Sequence, residues 1–354
     1  MGIEEDYLLL MFSMKGLGKR VDLNHVKEKL SRDLKKFSEE EVKNLLNSLI
    51  EKGFLEEVKG FYGITKKGME FFSKRVKEVE NNLRKINEPW LIVYKAKQYY
   101  PYVINTVFEF CKDRFVGFYC LFTEKRFFRR DFRGRKIVVK DPKELLFFIN
   151  IHCIDIIPSV HRINVDRPDW LVVDIDPGPK VDFEKTKEVA EITYKIFKNF
   201  DLNPAIKFSG SRGFQVWALI EDFEFPAEYE PIVLKGGKRE KNYFTLFSDF
   251  VRVIQREVEK EVPKLTTCET LSKKEREDKI LLDPSSMKPL GLVRAPYSVH
   301  SKTGLVSLPL NLKEVKDFEF EQARTENVLE RYEKRGNEFI LRPSNPKKLI
   351  QELI

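Results

Sequence analysis

Cysteine and histidine are scarce in this chain, and long apolar runs are absent from it. Among its 354 residues are four histidines and four cysteines, the latter being Cys111, Cys120, Cys153 and Cys268. The cysteines form no Cys-x-x-Cys pair, which disfavours a structural zinc site. We therefore expect reduced, buried thiols in a cytoplasmic protein. No apolar run reaches the ~18 residues of a membrane span, and the acidic start of the chain is unlike a secretory signal, so no membrane association is expected.

Charge is abundant, since Asp, Glu, Lys and Arg make up 34% of the chain. The formal net charge is +8, which permits an acidic partner such as nucleic acid without requiring one. At about 100–200 residues per domain, the length predicts two or three domains.

Residues 1–75 are predicted to form a small helical unit. An apolar-periodic helix starts at Ile3, Asp22 can cap a second helix, and Ser38 with Glu41 forms a capping box for a third. Two short strands follow around Gly60. This order resembles the winged helix-turn-helix domains common in archaeal and bacterial chains.

The third helix of this unit argues against a simple DNA-binding assignment. It begins with Glu39, Glu40 and Glu41, and acidic residues at that end oppose phosphate binding. DNA contact and protein contact or scaffolding therefore both remain open for it. A charged helical linker is predicted over residues 76–88.

A second region, residues 89–315, alternates apolar strand-like runs with helices, and a charged helical tail spans residues 316–354. Near its start, "GFYCLFTEKRFFRRDFRGRKIVVK" predicts two strands around a basic turn. From Lys125 to Lys140 the segment holds eight Lys or Arg against one Asp, with phenylalanines between them. It is either a solvated hairpin or a surface that grips phosphates and stacks bases. The nucleic-acid candidates are Lys125, Arg126, Arg129, Arg130, Arg133, Arg135 and Lys136.

The stretch "LVVDIDPG" ends a predicted strand in two carboxylates. Because side chains alternate along a strand, Asp174 and Asp176 point to the same side. Two neighbouring carboxylates repel each other unless a cation lies between them, and hard oxygen ligands suit Mg²⁺ or Mn²⁺. A helix over Phe183–Phe200 then leads to a strand near Ala205, which predicts a β-α-β unit.

That second strand runs into "KFSGSRGFQVW". The backbone of Ser209 and Gly210 can approach an anion closely, and Lys207 and Arg212 supply positive charge. In isolation the segment would be an ordinary turn, but it follows the carboxylate pair by one β-α-β step.

Asp283 ends another apolar run and can supply a third carboxylate. Three carboxylates holding two metal ions beside a triphosphate are the arrangement used for nucleotidyl transfer. Downstream, Arg294, His300 and Lys302 can reach triphosphate oxygens.

In this order, the three motifs resemble those of the archaeo-eukaryotic primase-polymerase superfamily over roughly residues 90 to 315. The likeness is strongest to the polymerase domain of bacterial ligase D and its archaeal end-joining relatives. "SVHSKTGL" is more similar to the replicative primase small subunit, whose zinc-binding cysteines are not visible here. The resemblance implies an α+β fold. It comprises an RRM-like catalytic core of mixed and antiparallel sheets with flanking helices, preceded by an α-helical winged-helix domain.

The resemblance also implies site residues. It places the catalytic metal ligands at Asp174, Asp176 and Asp283. Nucleotide contacts are expected at Lys207, Ser209, Gly210, Arg212, Gln215, Arg294, Ser298, His300 and Lys302.

Two family histidines are missing from the matched positions. Gln215 stands where the second motif has His, and Ile157 stands where the end-joining polymerases have His before Pro, with His161 a candidate substitute. Glutamine can donate a hydrogen bond to phosphate but carries no charge.

The implied function is a metal-dependent, template-directed nucleotidyltransferase, a primase or polymerase that uses nucleoside triphosphates and Mg²⁺ or Mn²⁺. Its partners would be DNA as template, primer or broken ends, or RNA, and a ligase, end-joining protein or primase large subunit. The alternative is a weakened or inactive primase-like protein that acts as a DNA-binding regulator through the winged helix. The sequence does not decide between priming and primer extension, or between ribonucleotides and deoxyribonucleotides as substrates.

Overall fold

The computed structural model describes residues 1–122, 125–234, 237, 239–269 and 275–354. Thr123 and Glu124, which belong to the predicted basic hairpin, lie outside them. The chain forms two compact units, Met1–Gln98 with Leu121–Arg126 and Tyr99–Cys120 with Phe127–Ile354. Within the described ranges, no helix has the length and apolar character needed to cross a bilayer.

The chain starts with helices and a small antiparallel sheet of strand order β1-β3-β2. The elements are α1 Ile3–Lys15, β1 Arg20–Asp22, α2 Leu23–Asp33, α3 Glu39–Glu51, β2 Leu55–Val58, β3 Phe61–Ile64 and α4 Lys66–Cys111. The predicted capping box is present, with Glu41 N–H donating to Ser38 Oγ over 3.1 Å and Ser38 N–H to Glu41 over 2.6 Å. Lys59 and Gly60 have φ of 52° and 79°, the left-handed pair of a two-residue hairpin between β2 and β3.

Helix α4 is interrupted at Asn87, whose φ and ψ are −154° and 78°. Its side-chain oxygen accepts from Trp90 N–H over 3.1 Å, as an N-cap does, so a second helical segment begins there. Its amide also donates to Asp33 over 2.7 Å, which fixes the interruption to α2.

The elements after α4 include the sheet that positions the candidate site. They are β4 Val116–Phe122, β5 Lys125–Arg129, β6 Asp131–Phe132, β7 Arg135–Lys136, α5 Pro142–Asn150, β8 Cys153–Pro158, β9 Trp170–Pro177, α6 Phe183–Asn199, β10 Ala205–Phe208, β11 Phe214–Ile220, α7 Tyr243–Glu261, β12 Thr266–Thr267, β13 Ile280–Asp283, β14 Pro309–Leu310, α8 Leu312–Lys316, a 3₁₀ turn Phe320–Ala323, α9 Thr325–Arg335, β15 Pro343–Ser344 and α10 Lys347–Gln351. The main sheet has the order β12-β13-β9-β11-β10-β14, and smaller sheets have the orders β5-β4-β8 and β6-β7.

The predicted β-α-β unit is present in split form. Strand β11 lies between β9 and β10 and runs antiparallel to both. Phe214 of β11 stacks on Phe183 of α6 at 5.7 Å, and it pairs with Ile175 of β9. Because side chains alternate along strands, Gln215, Asp174 and Asp176 therefore face away from this helix.

Residues 316–354 contribute to the same sheet. Strand β15 pairs in parallel with β11, and Phe339 is buried with its ring 5.4 Å from that of Trp217. Asn203 N–H donates to Ser344 Oγ over 2.8 Å, which ties the end of the chain to the approach of β10.

The prediction of reduced thiols was wrong for one pair of cysteines. Cys120 and Cys153 form a disulfide between β4 and β8. A register shift after Tyr119 places Cys120 opposite Cys153, so the two sulfur atoms meet across the strands. Cys111 and Cys268 are free and buried, and burial raises the pKa of both thiols.

The predicted α+β class, with mixed and antiparallel sheets and flanking helices, is confirmed in its main features. The winged-helix assignment of the N-terminal segment stays a prediction.

Candidate active site

A row of polar side chains crosses four strands of the main sheet. In the strand register, Asp283 of β13 lies opposite Asp174 of β9, Asp174 opposite Gln215 of β11, and Gln215 opposite Lys207 of β10. Directly opposed residues have Cβ atoms about 5 Å apart, so these side chains are neighbours on one face. Asp176 lies two residues further along β9 and shares that face. The fold thus brings the three predicted carboxylates together.

The electrostatics of Asp174 reflect this crowding. Burial, followed by the negative charges of Asp176 and Asp283, raises the pKa of Asp174 to about 6. The Gln215 amide donates a hydrogen bond to Asp174 and partly opposes this rise. A cation among the three carboxylates would remove the repulsion that these groups exert on one another.

The other two carboxylates have local partners. Asp176 faces Arg276 Nη1 at 3.4 Å and Arg212 Nη2 at 3.8 Å, and Asp283 accepts from Ser285 N–H and Oγ–H at 2.8 and 2.7 Å. In these orientations, no three carboxylate, imidazole or thiol groups of the described residues converge on one metal position. The donor set nevertheless fits Mg²⁺ or Mn²⁺, because three oxygen ligands project from adjacent strands and one has a strongly raised pKa.

The "SGSRG" segment is a tight turn between β10 and β11. Ser209 N–H donates to Gly213 O over 2.9 Å, and Gly210 has a φ of 92°. A Cβ on Gly213 would lie 2.0 Å from Ile175 O, so only glycine lets the turn approach the strand that carries the aspartates. Arg212 is exposed at the tip of this turn, where it can meet an anion.

The segment after Arg294 lies against this turn. Thr303 Oγ1 donates to Gly210 O over 2.6 Å, and a Cβ on Gly210 would come within 2.9 Å of His300 Cβ. His300 Nδ1 accepts from the N–H groups of Lys302 and Thr303, each over 3.3 Å, which orients the ring. Lys302 itself is exposed on the same loop.

Two predicted nucleotide contacts are placed inside the protein. Ser298 is fully buried, and its hydroxyl accepts from Ile156 N–H over 2.7 Å. Lys207 is also fully buried, with Nζ donating to Ser307 Oγ over 2.6 Å and lying 5.2 Å from the Trp217 ring centre. Burial, together with the charge of Arg294, lowers the pKa of Lys207 well below its ordinary value. Neither side chain is presented to a ligand in this arrangement.

Arg294 is largely committed to protein partners. Its Nε and Nη2 donate to Asp155 over 2.7 and 3.1 Å, and its Nη1 donates to Ser209 O over 2.9 Å. Sequence reasoning missed Asp155, a fully buried carboxylate in β8. The available signal was a lone aspartate within the apolar run "CIDIIP", since a buried charge requires a partner.

Positions 157 and 215, where the related polymerases have histidines, are Ile and Gln here, and the described residues that line the cleft include no histidine. Ile157 is buried and supplies an apolar wall. His161 is held by the main chain, because its Nε2 accepts from Leu290 N–H over 3.1 Å and its Nδ1 lies 2.9 Å from Arg162 O. Both ring nitrogens of His161 are thus engaged by the main chain.

A cleft of 430 Å³ opens beside the carboxylates. Asp174, Gln215 and Asp283 line it, and so do the aromatic rings of Tyr119 and Phe128. The two rings lie 5.0 Å apart between centres. Sequence reasoning missed Tyr119, whose role depends on the fold rather than on a motif.

The basic segment alternates arginines with phenylalanines. Arg130 lies over the Phe128 ring at 5.2 Å and lines the same cleft. Arg129 lies 5.5 Å from Phe127 and 5.7 Å from Phe132, and its buried Nε has no hydrogen-bond partner. The remaining side chains are exposed or partly exposed, namely Lys125, Arg126, Arg133, Arg135 and Lys136. Of the seven candidates, Lys125 and Arg126 belong to the first compact unit. The second unit contains Arg129, Arg130, Arg133, Arg135 and Lys136.

The buried carboxylate of Asp155 makes stability sensitive to acid. Burial alone would raise its pKa, but Arg294, then His300 and the Ser301 N–H, outweigh burial and lower the pKa below the ordinary 3.8. Ionised Asp155 therefore stabilises the folded state above pH 3.8, and this contribution is lost as pH falls through the lower folded pKa.

We expect Asp155→Asn to reduce the free energy of unfolding by about 3 kcal/mol at neutral pH, because Arg294 loses its buried partner. When thermal unfolding is measured across the acid range, the difference in stability between wild type and variant should become smaller only below the ordinary pKa of 3.8. A difference that is equally large at every pH would contradict this assignment.

The family model described as "LigD, primase-polymerase domain" matches residues 122–339. The solved structure of the polymerase domain from Mycobacterium tuberculosis ligase D in complex with DNA matches with a TM-score of 0.56 and 18% sequence identity. That match covers 68% of this chain and 88% of the other, and at this identity it shows a shared fold. No curated protein matches the chain. Because the family model spans more than half of the 354 residues, the chain belongs to the LigD primase-polymerase domain family.

Proposed function

We propose that this protein is a metal-dependent, template-directed nucleotidyltransferase that extends nucleic-acid ends. The observation that carries the proposal is the position of Asp283 opposite Asp174 in the lining of an open cleft, with Asp176 two residues further along the same face of β9. Family membership supports the same reaction class, with activity in DNA end joining.

Two loops would bind the triphosphate. The Ser209–Gly213 turn offers backbone N–H groups and the exposed Arg212 guanidinium, and His300 lies against that turn. Tyr119 and Phe128 provide aromatic faces on which a base can stack at the side of the cleft.

Asp174, Asp176 and Asp283 would hold Mg²⁺ or Mn²⁺, which would lower the pKa of the attacking 3′-hydroxyl and neutralise charge on the leaving pyrophosphate. In the reaction, the 3′-hydroxyl of the primer gives up its proton to solvent, its oxygen bonds to the α-phosphorus, and the bond from the α-phosphorus to the departing pyrophosphate breaks. Gln215 keeps Asp174 oriented through its amide hydrogen bond. Arg212 can stabilise the negative charge that develops on the pyrophosphate, because its side chain is exposed.

The nucleic acid would be held by the basic segment. Arg130 and Phe128 border the cleft, and Arg129 and Arg133 lie over the Phe132 ring. Guanidinium groups neutralise phosphates while the rings stack on bases. The complex of the Mycobacterium tuberculosis polymerase domain with DNA supports DNA as the partner.

For the N-terminal segment we infer a winged helix. Its support is the order of α1–α3 followed by the hairpin β2–β3 in a β1-β3-β2 sheet. Glu39, Glu40 and Glu41 form the first turn of α3, which disfavours phosphate contact by that helix. This acidic turn weakens the rival function, a DNA-binding regulator that acts through the winged helix.

A product assay tests the proposal. Purified protein is given labelled ribonucleotides or deoxyribonucleotides, with Mg²⁺ or Mn²⁺, on a template with and without a primer. We expect incorporation that depends on template and divalent cation and stops with a chelator. DNA binding without incorporation under any of these conditions would favour the regulatory alternative.

A further inference from the structure

We infer that Asp155 is a positioning residue for nucleotide binding, an inference that rests on the proposed function. Asp155 is fully buried in β8. Besides the two donors of Arg294, its carboxylate accepts from Ser301 N–H over 3.1 Å and from Ser301 Oγ over 2.9 Å. One carboxylate therefore holds four donors from two residues of the segment that follows β13.

These bonds control both loops that would bind the triphosphate. Through Arg294 Nη1, Asp155 is connected to the carbonyl of Ser209, the first residue of the turn that presents Arg212. Through Ser301, it holds the residue next to His300. The relative position of Arg212 and His300 thus depends on a carboxylate at the base of both loops.

The two loops also touch each other, so a shift in one is passed to the other. Thr303 Oγ1 donates to Gly210 O over 2.6 Å, and a Cβ on Gly210 would lie 2.9 Å from that of His300. The close approach of Gly210 to His300 leaves no room for a side chain at position 210. Replacing the Asp155 carboxylate by a neutral amide would leave one uncharged acceptor oxygen for the donors of Arg294 and Ser301, which weakens the common anchor of both loops.

The same unit contains a second, largely buried arginine–aspartate pair that lies away from both loops. Arg114 is buried and binds Asp169 through Nη1 and Nη2 at 2.8 and 2.5 Å. Asp169 precedes β9 at the end of that strand remote from Asp174 and Asp176. Within the described residues its hydrogen-bond partners are Arg114, Arg162, Val160 and Ile220, which lie outside both loops. Asp169→Asn therefore measures the cost of losing a paired carboxylate without moving the loops.

The test compares triphosphate binding and steady-state kinetics in these variants. We expect Asp155→Asn to raise KM for the nucleotide about tenfold, while kcat changes less than about threefold and the Kd for primer-template is unchanged. Calorimetry with a non-hydrolysable nucleoside triphosphate should show the same loss of affinity. Asp169→Asn should lower Tm but leave KM for the nucleotide unchanged.

Ser301→Ala is the milder second variant, since it removes one donor and keeps the ion pair. It should raise KM for the nucleotide about threefold. Unchanged triphosphate affinity in the Asp155 and Ser301 variants, or an equal loss in Asp169→Asn, would overturn the inference. A wild-type protein that binds triphosphate but incorporates none would count against the proposed function alone, because the loop inference is read from binding.

Discussion

Asp283→Asn should lower the rate of nucleotide incorporation about a thousandfold, equivalent to about 4 kcal/mol of transition-state stabilisation. The substitution keeps the shape of the side chain and an acceptor for Ser285 N–H, but it replaces a charged oxygen ligand by a neutral amide. Affinity for primer-template should stay within about twofold, because Asp283 does not belong to the basic segment. Single-turnover incorporation and equilibrium DNA binding measure the two quantities separately.

Asp278→Asn is the matched control, since Asp278 is exposed and shortly precedes β13. It should retain wild-type activity. If Asp283→Asn keeps more than about a tenth of the wild-type rate, Asp283 is not a required ligand.

The Asp283→Asn variant should be more stable than wild type when divalent cations are removed. Burial and the charges of Asp176 and Asp283 raise the pKa of Asp174 to about 6, so the ionised cluster destabilises the fold at neutral pH. Neutralising Asp283 should therefore increase the free energy of unfolding by about 1 kcal/mol in the presence of a chelator. A less stable variant would mean that lost structure, rather than a lost ligand, explains its inactivity.

Replacing four arginines of the basic segment with glutamine should weaken DNA binding about a hundredfold at low salt. The variant is Arg129→Gln, Arg130→Gln, Arg133→Gln and Arg135→Gln, all within the second unit. Each phosphate contact that is lost removes about 0.7–0.9 from the slope of log K against log salt concentration, so the slope should fall by about 3. Titrations at several salt concentrations give both quantities.

A control with the same change in net charge tests whether the effect is local. Lys198, Lys313, Lys316 and Lys334 are exposed on helices of the second unit and can be replaced by glutamine together. In this variant the slope of log K against log salt concentration should stay close to that of the wild type. An equal fall in both variants would show that diffuse positive charge attracts the DNA.

The shared face of Asp174 and Asp176 could be predicted from the sequence because its signal is local. Alternation along a strand places Asp174 and Asp176 on one side whichever strands lie beside them. The pairing of Asp283 with Asp174 required the order of strands, which depends on how the whole sheet assembles. The insertion of β11 between β9 and β10 had no local signal either, although it decides that Gln215 is the neighbour of Asp174.

Burial of polar side chains was harder to predict. Lys207 and Ser298 lie in motifs typical of phosphate binding, yet Ser307 and Ile156 enclose them from distant segments. Asp155 and Arg294 are separated by 139 residues, so no spacing rule connects them. Such pairs can be identified only when the structure shows which charged side chains are buried.

The parallel pairing of β15 with β11 determines where the protein can be shortened. Leu219 and Ile220 lie opposite Pro343 and Ser344, at the end of the strand that also carries Gln215. A fragment that stops after α9 would expose this stretch of β11 and remove the acceptor of Asn203 N–H. An expression fragment for enzymology should therefore extend past Ser344, or a low activity could reflect an incomplete sheet rather than the chemistry of the cleft.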